Sequence, residues 1–170
     1  RNVAGDLFDH ITRDEALDAM ERGAALLEVV GAPRMGHAAQ EFRVGICMLV
    51  GDHVAAAGHA RTLLDDMART HVDLGNFGIL ANCGMALVLG GDVVRGRACM
   101  SRSRALLEKN GVRVGSEAWT VVVSFDGLAR TLDGDVAGGK AAWEMLKAHG
   151  AVPGADDAME RLHVALEEAG

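Results

Sequence analysis

A doublet of large aliphatic residues recurs four times along the chain, at Leu26-Leu27, Leu63-Leu64, Leu106-Leu107 and Met145-Leu146, separated by 37, 43 and 39 residues. Small residues stand four and eight places before each second member: Gly23 and Ala19, Ala60 and Ala56, Ser103 and Cys99, Ala142 and Gly138. Positions i, i+4 and i+8 stack on one helical face. A stripe of small, small and large lets a neighbouring helix approach closely and then locks it with an aliphatic knob. Helix pairs repeated about every 40 residues are the mark of an α-solenoid. The expected fold is therefore all-α: about eight helices in stacked antiparallel hairpins, coiled into a short right-handed superhelix.

Helix punctuation supports the same reading. Thr12 and Glu15 form a capping box opening a helix that runs to Val30, with Gly31 as its stop and Pro33 beyond. Gly51-Asp52, Gly91-Asp92 and Gly134-Asp135 precede three further helices, and an aspartate there accepts from free amides at the positive end of the helix dipole. Gly31, Gly111 and Gly150 fall four residues past the doublets; the second copy has Ala68 there, which carries that helix on to about Thr70. Partner helices are expected over 35–50, 76–90 and 116–132. Each has a glycine six or seven residues before the next Gly-Asp, Gly45, Gly84 or Gly127, and a mid-helix glycine costs about 1 kcal/mol, which suggests a close backbone crossing at each. Val121-Val122-Val123 could suit a strand but has no pairing run elsewhere, so it is assigned to helix. A last helix over 155–169 caps the stack after the Pro153-Gly154 turn. The whole of 1–170 reads as one helical-repeat domain, with an irregular segment at 1–12 and hairpins over about 13–150.

Composition narrows the function. A net charge of −7 and only 4% aromatic residues, with no tyrosine, argue against a nucleic-acid binder, which needs a basic face and stacking platforms. No apolar run approaches the roughly 20 residues of a membrane span. Three unpaired cysteines in apolar helical patterns, and no stretch resembling a secretory leader, point to the reducing cytoplasm. With Arg1 rather than Met at its start, the sequence reads as a piece of a longer chain.

The repeat unit, best seen in GMALVLGGDVVRGRACMSRSRALLEKNG at 84–111, resembles a degenerate tetratricopeptide hairpin. It is most similar to the helical-repeat regions of large bacterial LuxR-type, ATP-binding transcriptional regulators and related signalling ATPases. The resemblance covers 13 to about 150. Its repeat exceeds the usual 34 residues, and the usual aromatic of the first helix is mostly missing. It implies protein contact or effector sensing, with enzymatic and DNA-binding domains elsewhere in a parent protein.

Residues that carry chemistry are sparse. Gly134, Gly139 and Lys140 imitate a phosphate-binding loop, but Ala141 replaces the magnesium-holding hydroxyl and no strand precedes the motif. His37 and Glu41 have metal-ligand spacing without a third donor, and His53 and His59 point to different faces. No nucleophile elbow or facing carboxylate pair is legible. No catalytic residue, metal or cofactor is expected.

Two surfaces remain. Counted from the partner-helix glycines, Phe42/Ile46/Leu49, Ala81/Met85/Val88 and Ser124/Leu128/Thr131 match the groove-lining positions of tetratricopeptide repeats. Phe42, Ile46, Met85 and Leu128 are the candidate partner groove, unless they are core closed over by the last helix. Arg95, Arg97, Arg102, Arg104 and Lys109, near Arg113, meet only Asp92 and Glu108 in sequence, which makes them a candidate patch for an acidic partner or anion. The expectation is a non-catalytic interaction or sensor module, with a protein or a second copy of the chain as partner. A small-molecule effector domain and a small enzyme assembled only in three dimensions are the alternatives.

Overall fold

The computed structural model describes residues 13–29, 33–70, 76–150 and 155–170. Among these, every regular element is a helix: α1 (Arg13–Val29), α2 (Pro33–Val50), α3 (His53–Arg69), α4 (Phe77–Leu89), α5 (Val93–Lys109), α6 (Glu117–Leu132), α7 (Val136–His149) and α8 (Asp156–Ala169). The Val121–Val123 run lies inside α6. Thr12, Gly31 and the Pro153-Gly154 turn lie outside the described residues. No described helix is long and apolar enough to cross a membrane.

Each Gly-Asp pair proves to serve two helices. Gly51, Gly91 and Gly134 take left-handed φ values of 79°, 88° and 88°. Their amides bond back to Met48, Val88 and Thr131, while the following aspartate amides bond to Cys47, Leu87 and Arg130. This is a Schellman stop, which satisfies the orphan carbonyls of the outgoing helix. Asp52 and Asp135 then cap the next helix through Ala55 N and Gly138 N, whereas Asp92 makes no such cap and instead takes Arg61 at 3.3 Å.

Among the described residues every helix packs on the next, and the backbones of α2, α4, α6 and α8 also approach one another in series, whereas those of α1, α3, α5 and α7 do not. One row is continuous, and the other lies over its seams. Two apolar clusters fill the interior. One joins α2 to α5 around Leu63, Leu80 and Leu87, with Cys99 contributed by α5. The other joins α4 to α8 around Met100, Leu107, Val123, Leu146 and Leu162.

Leu64, Leu107 and Leu146 turn inward as the stripe requires, with Ala56, Ala60, Cys99, Ser103 and Ala142 buried beside them. The first copy departs in degree: its equivalent Leu27 is only half-buried, and Ala24 is the fully buried one among the described residues of that helix. The cause is position, because among the described residues α1 packs on α2 alone. Close crossings occur at two of the three expected glycines. A Cβ on Gly84 would lie 2.5 Å from Met100 Sδ, and one on Gly127 would lie 2.8 Å from Ala142 Cβ; around Gly45 there is open space. Gly96 and Gly139 face these crossings, within 3.2 Å of the Gly84 and Gly127 carbonyls by the same construction.

Candidate functional site

Helix α6 is the most enclosed element, with residues 122–129 all buried. An apolar segment would satisfy that position, yet α6 carries Asp126 with no exposure at all. A buried carboxylate is costly unless paired and hydrogen-bonded. Asp126 is both. Ser101 Oγ donates to its Oδ1 at 3.0 Å, and Arg104 Nη1 and Arg130 Nε donate to Oδ2 at 3.2 and 3.1 Å. The cluster extends outward: Arg130 Nη1 donates to Asp135 at 3.1 Å, and Arg97 bridges Asp135 and Asp133 at 3.2 and 2.5 Å. The charge of Asp126 beside it raises the pKa of Arg130. The Gly138 amide, with Arg130 and Arg97 beyond it, holds the Asp135 carboxyl below its ordinary value.

The cluster sits in a cleft of about 370 Å³ floored by Asp126 and Arg130 of α6 and walled by α5 and α7, with Arg104, Ala105, Ala141 and Met145 at its sides. The cleft exists because the α5 and α7 backbones stand apart and are bridged by side chains, Arg104 Nη2 reaching Met145 Sδ at 3.5 Å. The preceding seam, between α3 and α5, is solved differently: Leu64, Leu80 and Cys99 line it, with Arg95 and Arg102 at the edge. The two hairpins are in register, since Gly84/Gly127, Gly91/Gly134 and Gly96/Gly139 are each 43 residues apart. In that register Asp126 and Arg130 replace Cys83 and Leu87, both fully buried. Burial pushes the Cys83 thiol up to about 12, so it behaves there as a small apolar group.

A second concavity, of about 580 Å³, lies on the continuous row where α8 passes α4 and α6. Val88, Leu89, Leu128, Leu132, Val164 and Ala165 form its apolar walls, and Asp157, Glu160 and Glu168 stand on its rim beside Arg161. Arg161 is engaged by Asp157 at 2.8 Å.

The residues expected to form one groove are not alike. Ile46 and Leu128 are 6% and 5% exposed, and Met85 is half-buried against the larger cluster, whereas Phe42 is 50% exposed. Leu128 alone of the four reaches the α4/α6/α8 concavity. The basic stripe is largely answered from neighbouring helices: Arg95 by Asp65 at 2.6 Å, Arg97 by Asp133 and Asp135, and Arg104 by Asp126. Arg102 and Lys109 are exposed and make no ion pair among the described residues. His37, read as a metal-ligand candidate, is buried and hydrogen-bonded to Asp66 at 2.7 Å.

Sequence reasoning missed Asp126. Its signal was the one carboxylate in the run from Trp119 to Ala129, where the matching helix α4 has none. Comparison with protein-family models, with curated proteins and with solved structures finds no match to this chain. The case for function therefore rests on the geometry of the chain itself.

Proposed function

We propose that this chain is a non-catalytic helical-repeat interaction or sensor module, and that its α4/α6/α8 groove receives an apolar protein segment flanked by basic residues. The carrying observation is that groove. It is walled by six aliphatic side chains and rimmed by three carboxylates on a chain of net charge −7. Leu132 and Val164 stand 51% and 44% exposed on its walls, so part of the apolar surface faces water. Apolar anchors with complementary charge at the rim suit an amphipathic helix laid into a groove. The text at 84–111 resembles the helical-repeat regions of bacterial regulators, and that resemblance supports a module whose catalytic and DNA-binding work belongs to other domains.

The test uses a synthetic amphipathic peptide with leucines at i, i+3, i+4 and i+7 and lysines at its flanks, followed by amide and methyl chemical shifts. Perturbations should centre on Leu132 and Val164 and vanish in Leu132→Glu/Val164→Glu. A glutamate-flanked version should bind more weakly. Self-association by sedimentation, abolished by the same double variant, would make a second copy the occupant instead. Perturbations spread over other faces, or no binding by either peptide, would defeat the reading.

A further inference from the structure

We propose that the cleft between α5 and α7 is a binding site for a small anion, a molecule bearing a phosphate or carboxylate group, held by Arg104 and Arg130. The site is distinct from the apolar groove, and the proposal stands or falls independently of it.

Three observations carry it. The first is the departure from the repeat. Cys83 and Leu87 show that this position can be filled with apolar side chains, and replacing a buried ion pair with such residues often leaves a protein equally or more stable. Stability alone does not explain Asp126 and Arg130. Local breaks in an otherwise consistent pattern concentrate at functional positions.

The second is that the two guanidinium groups are fixed but not saturated. Asp126 holds Arg104 by Nη1 and Arg130 by Nε, and Asp135 holds Arg130 by Nη1. The half-buried Arg104 Nη2 has only the thioether of Met145 as acceptor, at 3.5 Å, and thioether sulfur accepts weakly. Arg130 Nη2 has no hydrogen-bond partner among the described residues. Each arginine thus keeps a donor for an oxyanion, and the buried carboxylate pre-sets both forks. Guanidinium groups so placed bind planar carboxylates and phosphates better than a flexible ammonium would.

The third is a displaceable stand-in. Glu108 approaches Arg104 Nε at 3.5 Å while 64% exposed, a loose contact that an incoming anion can replace at small cost. A cleft of about 370 Å³ admits a small metabolite, and Ala105, Ala141 and Met145 line it beside the two arginines.

The experiment is titration of the full chain with inorganic phosphate and, separately, with succinate, at constant ionic strength set by chloride, followed by thermal melting and by NMR of the arginine Nε–H signals. Expected are a saturable rise in melting temperature and shifts at Arg104 and Arg130. Arg104→Gln should weaken binding about tenfold or more, the loss of a charge-assisted hydrogen bond. Ala141→Glu keeps the buried cluster intact and adds a like charge at the exposed edge of the cleft. It should abolish binding while leaving the ligand-free melting temperature unchanged. Saturation by phosphate alone or by succinate alone supports the site and assigns its ligand chemistry. No saturable response to either anion, or a response undiminished in both Arg104→Gln and Ala141→Glu, overturns the proposal.

Discussion

Asp126 shows how one side chain changes the character of a repeat. Its carboxylate binds α5 to α6 through Ser101 and Arg104, and stiffens α6 itself through Arg130 one turn on. Removing one partner of a buried pair costs about 3–5 kcal/mol because the remaining charge is left uncompensated. Here Arg104 and Arg130 keep 24% and 30% exposure and can partly rehydrate, so the lower end applies. Asp126→Ala should lower unfolding free energy by about 3 kcal/mol in urea titration. A loss under about 1 kcal/mol would make the cluster no stronger than an exposed ion pair. The double replacement Asp126→Cys/Arg130→Leu copies the preceding repeat, and should recover most of that stability while losing the anion response.

The helices are joined by a repeated device, and their glycines fall into different classes. Gly51, Gly91 and Gly134 work through backbone conformation, at φ values an L side chain rarely adopts. Gly84 and Gly127 work through space, at crossings where a Cβ would meet the next helix. Gly45 does neither, although its place in the pattern is the same. The difference sets the sign of a mutation. Gly127→Ala should destabilise by about 1–3 kcal/mol through overpacking. Gly45→Ala should stabilise, by up to about 1 kcal/mol, since it adds helix propensity and meets nothing. Melting of both variants checks the pair, and equal effects would mean that the crossing at Gly127 yields without strain.

The described residues hold two apolar clusters that share α4 and α5: Leu80, Cys83, Leu87 and Cys99 face one, Ala81, Val88, Met100 and Leu107 the other. Helices α2 and α3 contribute to the first cluster alone and α6 to α8 to the second alone, so damage to one cluster should be felt first by its own helices. Leu63→Ala removes a fully buried side chain from the first cluster and should cost about 2–5 kcal/mol. Hydrogen exchange should then accelerate over 33–69 more than over 117–149. Uniform acceleration would show one cooperative unit instead.

The helices, their order and most of their boundaries were legible because they follow from near neighbours along the chain: periodicity, Gly-Asp turns and caps act within a few residues. The inward turn of Leu64, Leu107 and Leu146 was legible for the same reason. What surrounds each helix was not. Leu27 repeats the stripe yet stays half-buried because α1 meets one helix among the described residues, and Gly45 repeats a crossing glycine with no described atom near its Cβ position. The basic stripe looked unopposed because Asp65, Asp126 and Asp133 lie 22 to 36 residues away in sequence. The polar cleft arises between two helices whose backbones stand apart, over a carboxylate on a third. Contacts of that kind depend on how helices pack, and spacing along the chain does not encode them.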